Sequence, residues 1–424
     1  MPQRLRTTSV DQAGAWASAF FCSRLHSWWR LIHAGSGHFS SYFHRRGKHK
    51  RPRHARLGTA ICATVLPRLR AFDCRLRALA LARCRVMPVA ILAHDRQPAT
   101  IPLPAAPRGG SASRAGPEAP PVERAEITSG LLRGSACLSP KYFYDQRGSE
   151  LFEAITRLPE YYPTRTERAV LLRHAGAIAQ AVGTHGVVIE PGAGSCDKAR
   201  VLCRLLRARQ YVAIDISADY LQGAVARLRA ALPGLDAWAV GGDITAGMQL
   251  PPGIAARDRL VFYPGSSIGN FDPPAALALL QRMHELAAGE GGGILIGIDL
   301  PKDVAVLQAA YDDAAGVTAE FNRNILAHVN RLIGADFDPR QWRHEAFFNT
   351  AESRIEMHLA ACGPQRVRWH GGERDFAGGE RIHTENSYKY PLPVFMDMLA
   401  RAGFHAPQAW TDERGWYALV HAHA

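Results

Sequence analysis

Five short apolar runs, separated by segments of helical periodicity, set the strongest limit on how this chain can fold. The runs are GVVIEPGAG (186–194), QYVAIDIS (210–217), LDAWAVGGDI (235–244), RLVFYPGSSIGN (259–270) and GGILIGIDL (292–300). Such runs are typical of strands buried on both faces, and the intervening segments, such as KARVLCRLLRAR, favour helices. Strands and helices alternating at this spacing predict a doubly wound, Rossmann-like α/β fold.

The first predicted strand ends in a glycine loop, and the second ends in an acid. Gly192 and Gly194 flank one alanine in the loop, and Asp215 stands at the end of the next strand. Ligands of such sheets bind beyond the carboxyl ends of the strands, where glycines let the backbone approach them closely. An acid at this point can accept hydrogen bonds from both hydroxyls of a ribose. The pattern therefore predicts half of a dinucleotide site.

The glycine loop departs from the pattern of NAD-binding proteins. Asp197 occupies the position where G-x-G-x-x-G has its third glycine. This departure favours S-adenosylmethionine, which has an adenosine and an amino acid but no phosphate. A nucleotide-dependent oxidoreductase and a simple tight turn remain alternatives. Asp243, after the third strand, is placed to meet the adenine amino group or, alternatively, to cap a helix.

The chain continues well beyond the fifth predicted strand. The pattern of residues 303–334 predicts one long helix, and EAFFNTAESRIEMHLAA predicts a pair of strands. We expect this region to form an inserted substrate-recognition lobe, which residues 125–165 could join. The predicted divisions are a disordered basic extension and linker (1–124), a methyltransferase core with N-terminal helices (125–300), the substrate-binding insertion (301–390), and a closing helix and strands of the core (391–424).

Several polar side chains in this insertion are spaced to share a face. Tyr311 and Thr318 are seven residues apart on the predicted helix, and Glu385 and Ser387 are two apart in the extended segment IHTENSYKY. Helical and extended periodicity place the members of each pair on one face. Met357 lies on one face of its predicted strand, where core packing is the default interpretation. The pairs are candidates for ligand contacts.

Positive charge is concentrated near the beginning of the chain. Residues 1–86 contain 17 of the 51 Lys and Arg residues but only two of the 38 acids, so the remainder has a net charge of −2. The basic segment could be a transit peptide, a nucleic-acid-binding arm, or coding sequence extended upstream of a start at Met87, and we favour the last. Since the folded part is near neutral, we expect no nucleic-acid partner.

Cysteine usage and hydropathy indicate a cytoplasmic protein. The eight cysteines are scattered without the short spacing of a zinc site, so we expect no metal. No apolar run approaches the length of a membrane span, and we expect no membrane association.

Several longer stretches resemble one family, the S-adenosylmethionine-dependent histidine Nα-methyltransferases of ergothioneine biosynthesis, which convert L-histidine to trimethylhistidine (hercynine). The stretches are KYFYDQRGSELFEAITRLPEYYPTRTE (141–167), IEPGAGSCDKAR (189–200), YPGSSIGNF (263–271), AAYDDAAGVTAEFNRNILAHVNRLIGADFD (309–338), SRIEMHL (353–359) and IHTENSYKY (382–390). They span nearly all of residues 125–424. The loop GAGSCDKAR and the segment PGSSIGN depart from the family's usual forms, although Gly192, Lys198 and Asn270 remain.

The resemblance implies a role for each matching residue. The implied cofactor-binding residues are Tyr161, Gly192, Lys198, Asp215, Asp243 and Ile244. The implied substrate-binding residues are Asn270 and Tyr311 at the carboxylate of histidine with Tyr144 nearby, Glu385 and Ser387 at the imidazole, and Thr318, Met357 and Phe152 around the ring. Tyr144 and Asn270 are the expected catalytic residues, and proton loss from the amine is expected to water or through Tyr144.

Imidazole explains the pairing of a carboxylate with a hydroxyl on one strand face, because its ring carries two nitrogens that can be engaged separately. We therefore expect an enzyme that trimethylates histidine. We also expect it to act as a monomer. Methylation of another aromatic amino acid, such as tryptophan, is the alternative within this class. A nucleic-acid-binding protein with a degenerate enzyme fold and a cofactor-binding regulator without catalysis are alternatives outside it.

Overall fold

The computed structural model describes residues 119–424. Predictions about the basic extension, its origin and most of the linker lie outside the described residues. The first described helix begins at Pro121, slightly before the expected start of order near residue 125.

Helices and strands alternate along much of the described chain. The α-helices are α1 (Pro121–Leu131), α2 (Gln146–Ile155), α3 (Tyr162–Arg173), α4 (Ala175–Val182), α5 (Asp197–Leu206), α6 (Ala218–Ala231), α7 (Pro273–Ala287), α8 (Val304–Tyr311), α9 (Val317–Ile333) and α10 (Leu392–Arg401). The strands are β1 (Ala136–Cys137), β2 (Val187–Pro191), β3 (Gln210–Asp215), β4 (Asp236–Gly241), β5 (Arg259–Tyr263), β6 (Gly293–Asp299), β7 (Trp342–Asn349), β8 (Arg354–Ala361), β9 (Gln365–Trp369), β10 (Gly372–Phe376), β11 (Arg381–Tyr388), β12 (His405–Thr411) and β13 (Tyr417–His423).

The five predicted core strands form one sheet, which confirms the α/β fold. The strand order is β12-β13-β6-β5-β2-β3-β4, with β2 to β6 parallel and β13 antiparallel to its neighbours. Helices α3 to α6 pack on one face, and α7 and α10 pack on the other. The expectation that every strand is buried on both faces is wrong for β4, because β4 is an edge strand with alternating exposure.

A second sheet forms the basis of a lobe above the carboxyl ends of the core strands. Its order is β1-β11-β8-β7, and the predicted strand pair β7 and β8 is confirmed as an antiparallel hairpin. One hydrophobic cluster unites the segment before α3 with α8, α9 and this sheet. Phe143 stacks on Phe321 of α9 with ring centroids 4.5 Å apart, so the N-terminal segment packs into the lobe.

The single long helix expected over 303–334 is wrong, since α8 ends at Tyr311 and α9 begins at Val317. Asp313 interrupts the helix because its carboxylate accepts hydrogen bonds from the backbone of Val317 at 3.0 Å and of Thr318 at 2.7 Å. Gly316 supplies the left-handed backbone conformation, with φ of 72°. Tyr311 and Thr318 therefore lie on two different helices, and they face one cleft through the turn between them.

A search of residues 119–424 for a membrane-spanning helix found none of sufficient length and apolarity.

Candidate active site

A cleft between the core sheet and the lobe gathers the side chains that the sequence associated with substrate. It holds about 500 Å³ of empty space, part of it open to solvent. Its lining includes Tyr144, Phe152, Tyr161, Asn270, Tyr311, Thr318, Met357, Glu385 and Ser387. These residues come from widely separated segments, and folding brings all of them together.

Strand β11 presents Glu385 and Ser387 to this cleft, as alternation along an extended strand requires. Met357 is the register partner of Glu385 on β8 and lines the same cavity. Glu385 is only 7% exposed, and no hydrogen bond or ion pair reaches its carboxylate from the residues that the structure describes. Burial raises the pKa of Glu385 to about 7, although the charge of Lys389 opposes this shift. The cleft therefore contains a buried acceptor that needs a donor from a ligand.

A hydrogen-bonded group lies beside Glu385. The hydroxyls of Tyr311 and Ser387 are 2.7 Å apart. The buried ammonium of Lys389 donates to Ser387 at 2.8 Å and to Tyr311 at 3.1 Å. It also pairs with Asp299 at 2.9 Å.

Asp299 ties this group to the core sheet, because it is the last residue of β6. Its carboxylate accepts a hydrogen bond from Tyr162 at 2.6 Å and pairs with the buried ammonium of Lys302. Its backbone nitrogen donates to Ser266, just before the turn that carries Asn270. One continuous polar network thus lies beneath the cleft, and only Ser266, Tyr311 and Ser387 of its described members line the cleft itself.

Asn270 ends a 3₁₀ turn, Ser267–Asn270, that packs against β11. A Cβ at Gly269 would lie 2.8 Å from the carbonyl oxygen of Tyr388, so only glycine allows this approach. The turn holds Asn270 across the cleft from Tyr311 and at the edge of a second, more open cleft that also contains Glu385.

Aromatic rings form one wall of the cleft. Phe152 contacts Tyr144 and Tyr161 in edge-to-face geometry, with centroid distances of 5.8 and 6.2 Å. Burial raises the pKa of Tyr144 and of Tyr161 well above the usual value. Both phenols are therefore protonated near neutral pH. A protonated phenol can donate a hydrogen bond that orients an amine, and proton loss to water or through Tyr144 stays a prediction.

The glycine loop and the acid of β3 meet at the carboxyl end of the sheet. Gly192 and Gly194 adopt φ of 67° and 51°, and the space beside Gly194 is open. The carboxylate of Asp215 accepts from the backbone of Gly194 at 3.0 Å and from that of Ser217 at 2.9 Å. Each oxygen keeps a lone pair for a ribose hydroxyl.

Lys198 lies where the glycine loop approaches the loop after β5. Its ammonium pairs with the buried carboxylate of Glu167, which also accepts from the backbone of Gly265 at 2.8 Å and from Tyr417 at 2.6 Å. Gly265 lines the cleft. Glu167 therefore fixes Lys198 beside the space where cofactor and substrate would meet.

Asp243 and Ile244 follow β4 at the same end of the sheet. The carboxylate of Asp243 accepts from the backbone of Thr245 at 2.8 Å and pairs with Lys141 at 3.1 Å. Burial would raise the pKa of Asp243, but hydrogen bonds from Thr245 and Lys141 outweigh burial and lower it. Asp243 caps a turn rather than a helix, and Ile244 packs against the sheet beside it.

Comparison with known proteins decides between the remaining classes. Residues 123–424 match the family model described as histidine-specific, S-adenosylmethionine-dependent methyltransferase. The chain belongs to this family. Its cofactor is therefore S-adenosylmethionine.

Individual relatives agree with the family match. A histidine N-alpha-methyltransferase of Mycolicibacterium smegmatis is 41% identical over 302 residues, which cover 70% of this chain and 93% of the relative. Ergothioneine biosynthesis protein 1 of Neurospora crassa is 31% identical over 70% of this chain and 35% of its own length. An L-tryptophan methyltransferase of Psilocybe serbica is 26% identical over 71% of this chain and 92% of the relative.

The loop geometry of this family member fits the cofactor. Asp197 is the first residue of α5, so it places a negative charge at the helix terminus where a dinucleotide's pyrophosphate would bind. Cys196 before it has a left-handed backbone, with φ of 59°, and its side chain is buried. A phosphate-free cofactor suits this terminus, and the open space beside Gly194 leaves room for its adenosine.

Sequence reasoning missed three buried charged residues that hold the site together. Lys389 could have been found from its spacing, because it stands two residues after Ser387 in the same extended segment. Asp299 could also have been found from the sequence, since it is an acid at the end of a predicted core strand. Glu167 lies within a helix, and only its tertiary contacts reveal its function.

Glu356, His358 and His383 form a group with the spacing of a metal site on strands β8 and β11. The guanidinium of Arg354 donates to the carboxylate of Glu356 at 2.8 Å, and Asn386 contacts the ring of His383 at 2.9 Å. The group therefore already has protein partners, and a positive charge at Arg354 opposes a bound cation.

Proposed function

We propose that this enzyme transfers methyl groups from S-adenosylmethionine to the α-amine of L-histidine. The observation that carries the proposal is Glu385, whose buried carboxylate faces the cleft with no partner among the described residues. An imidazole N–H supplies the missing donor, and Ser387 lies on the same strand face to engage the second ring nitrogen. An apolar side chain in this position would leave the carboxylate desolvated and unpaired.

We assign the other end of histidine to Asn270 and Tyr311, whose side chains can donate to a carboxylate. Thr318 and Met357 line the cavity around the ring. Anchoring both ends fixes the amine between them, so positioning is the main contribution of the protein to catalysis. The cofactor, when bound, supplies a methyl group activated by a sulfonium.

We assign cofactor binding to the glycine loop, to Asp215 at the ribose, and to Asp243 with Ile244 at the adenine. Lys198 and Tyr161 lie toward the cleft and complete this set. These assignments place the cofactor along the carboxyl ends of the core strands, as expected for a doubly wound sheet.

The amine must lose a proton before each transfer. Tyr144 is protonated, so we assign it to orienting the amine and propose that water takes the proton. Methylation leaves the ring and the carboxylate of histidine unchanged. The same anchors can therefore hold the mono- and dimethylated forms, and we propose that the product is the trimethylated amino acid, hercynine, the first intermediate of ergothioneine biosynthesis.

The names of the relatives support this assignment, since the 41% identical protein is a histidine N-alpha-methyltransferase. We further propose that the enzyme acts as a cytoplasmic monomer on a free amino acid, without nucleic acid or membrane. We also propose the divisions 125–300, 301–390 and 391–424 as the core, the substrate-binding insertion and the closing part of the core.

Mass spectrometry after incubation with S-adenosylmethionine and each of the twenty amino acids tests the proposal. We expect histidine to gain three methyl groups and the other amino acids to gain none. Methylated tryptophan with unmodified histidine would contradict it, and so would the absence of methyl transfer to any amino acid.

A further inference from the structure

A buried lysine beneath the cleft has a bonding pattern that constrains the substrate pocket. Lys389 follows β11, and its side chain is fully buried. Its ammonium contacts Ser387, Tyr311 and Asp299 at 2.8, 3.1 and 2.9 Å. An ammonium group has three hydrogens and no acceptor, so these three contacts use its full donor capacity.

The direction of these bonds limits what the two hydroxyls can do. Both hydroxyl oxygens accept from Lys389, and the bond between Tyr311 and Ser387 uses one of the two hydroxyl hydrogens. The other hydroxyl hydrogen has no acceptor among the described residues, and both side chains line the cleft. When a ligand replaces the bond between the two hydroxyls, the hydroxyl of Ser387 offers one O–H donor close to the carboxylate acceptor of Glu385. A neutral imidazole offers the complement, one N–H and one bare nitrogen.

We propose, building on the function proposed above, that Lys389 is a positioning residue for the substrate ring. By donating to both hydroxyl oxygens, it leaves the hydroxyl hydrogen of Ser387 for the bare nitrogen of the imidazole, beside the acceptor Glu385, and the hydroxyl hydrogen of Tyr311 for the carboxylate of histidine. Lys389 does not touch the substrate, and it acts through Ser387 and Tyr311.

Lys389 also controls the charge of Glu385. The phenols of Tyr144, Tyr161 and Tyr311 face Glu385 across the cleft, and burial raises the pKa of each, so all three are neutral near pH 7. Besides Glu385 itself, the charged or titratable groups of the second cleft that shares Glu385 are Glu126, Arg133, Cys137, Asp272 and His383.

Among these groups, Lys389 is the charge that acts to lower the pKa of Glu385, against the larger opposing effect of burial. Removing Lys389 would raise the pKa of Glu385 further above 7. A larger fraction of Glu385 would then be protonated at neutral pH. The acid limb of kcat/KM for histidine would move to higher pH.

The test compares Lys389→Met with Lys302→Met. Lys302 is a matched control, because it is also buried and pairs with Asp299, but it contacts Tyr162 rather than Ser387 and Tyr311. For Lys389→Met we expect the KM for histidine to rise about tenfold or more, as for the loss of a buried charged hydrogen-bond donor. We also expect the acid limb of its kcat/KM profile to move to higher pH. Lys302→Met should keep the wild-type KM for histidine and the wild-type acid limb.

Calorimetric binding of S-adenosylmethionine and thermal unfolding separate positioning from loss of structure. A folded Lys389→Met enzyme that binds the cofactor and retains the wild-type KM and acid limb would overturn the inference.

Should Lys389→Met not fold, Ser387→Ala provides the second test. We expect a higher KM for histidine with the acid limb in place, and an unchanged KM would overturn the inference. Wild-type enzyme that fails to methylate histidine would instead refute the proposed function.

Discussion

Glu385 illustrates how a single buried side chain can set substrate choice. Its carboxylate is removed from water without a protein partner among the described residues, so its desolvation is offset only when a ligand donates to it. Burial raises its pKa to about 7, which leaves its charge sensitive to pH in the neutral range. Recognition of the substrate and the pH dependence of activity should therefore both depend on the hydrogen bond between the Glu385 carboxylate and the ligand donor.

The pH profile of kcat/KM for histidine tests this link. The raised pKa means that the charged carboxylate predominates above pH 7 and is lost as the pH falls through about 7. We expect kcat/KM to fall with a component near pH 7, in addition to the dependence on deprotonation of the substrate amine, and Glu385→Gln to remove only the component near pH 7. At pH 8 the variant should lose about ten- to a hundredfold in kcat/KM, the cost of replacing a charged acceptor. Glu352→Gln, at an exposed glutamate, is the control. An unaltered acid limb of kcat/KM in Glu385→Gln would contradict the assignment of this limb to Glu385.

The sequence predicted individual site residues where local periodicity carried the information. Glu385 and Ser387 share a strand face because extended side chains alternate, and Asp215 ends a strand beside a glycine loop. The partners of such residues could not be predicted in the same way. Glu167 meets Lys198 only because α3 packs across the sheet, which is a tertiary contact without a local signature.

The turn between α8 and α9 shows how a local rule can override helical periodicity. The pattern of apolar residues continues across 303–334, but Asp313 competes for the backbone N–H groups that a continuous helix would use. The helix break brings Tyr311 and Thr318 into the same cleft.

Asp313→Ala should destabilise this turn. Loss of its two hydrogen bonds to the first turn of α9 is expected to lower the free energy of unfolding by about 1–2 kcal/mol, the size of the effect at helix N-caps. Because Thr318 would lose its fixed position, KM for histidine should rise more than KM for the cofactor. Chemical denaturation and steady-state kinetics measure both effects. Asp303→Ala, which removes the N-cap of α8, is the control, and an equal rise of KM for histidine in both variants would contradict a specific role of this turn.

The 3₁₀ turn that carries Asn270 depends on close contact with β11. In Gly269→Ala the new Cβ would lie 2.8 Å from the carbonyl oxygen of Tyr388, so the turn must shift away from the strand. We expect weaker histidine binding with little change in cofactor binding, because Asn270 moves and the glycine loop does not. Calorimetry on both ligands measures the difference. Gly176→Ala, which has open space around its Cβ, should bind both ligands as the wild type does.

At the scale of the whole molecule, the cleft lies between the core sheet and the lobe within one compact unit. Three hydrophobic clusters pack the sheet and helices of the core, and a fourth packs the lobe. The core was predictable because its strands are continuous apolar runs. The contribution of the segment before α3 to the lobe was only suggested by sequence, since it rests on contacts such as that between Phe143 and Phe321, far apart along the chain.

Deletion of residues 1–86 tests how much of the chain the activity requires. The family match covers 123–424, and the cleft is lined by residues between 144 and 387. We expect the shortened protein to retain the kcat and both KM values of the full chain. A large loss of activity, with the shortened protein folded by circular dichroism, would show that the basic segment contributes to catalysis.

The preference of Glu385→Ala among the twenty amino acids tests the central claim most directly, with competition assays using labelled S-adenosylmethionine. The wild type should methylate histidine and no other amino acid. The account predicts that the variant loses most of its preference for histidine while it still binds the cofactor. An unchanged preference for histidine in the variant would contradict the placement of the imidazole beside Glu385.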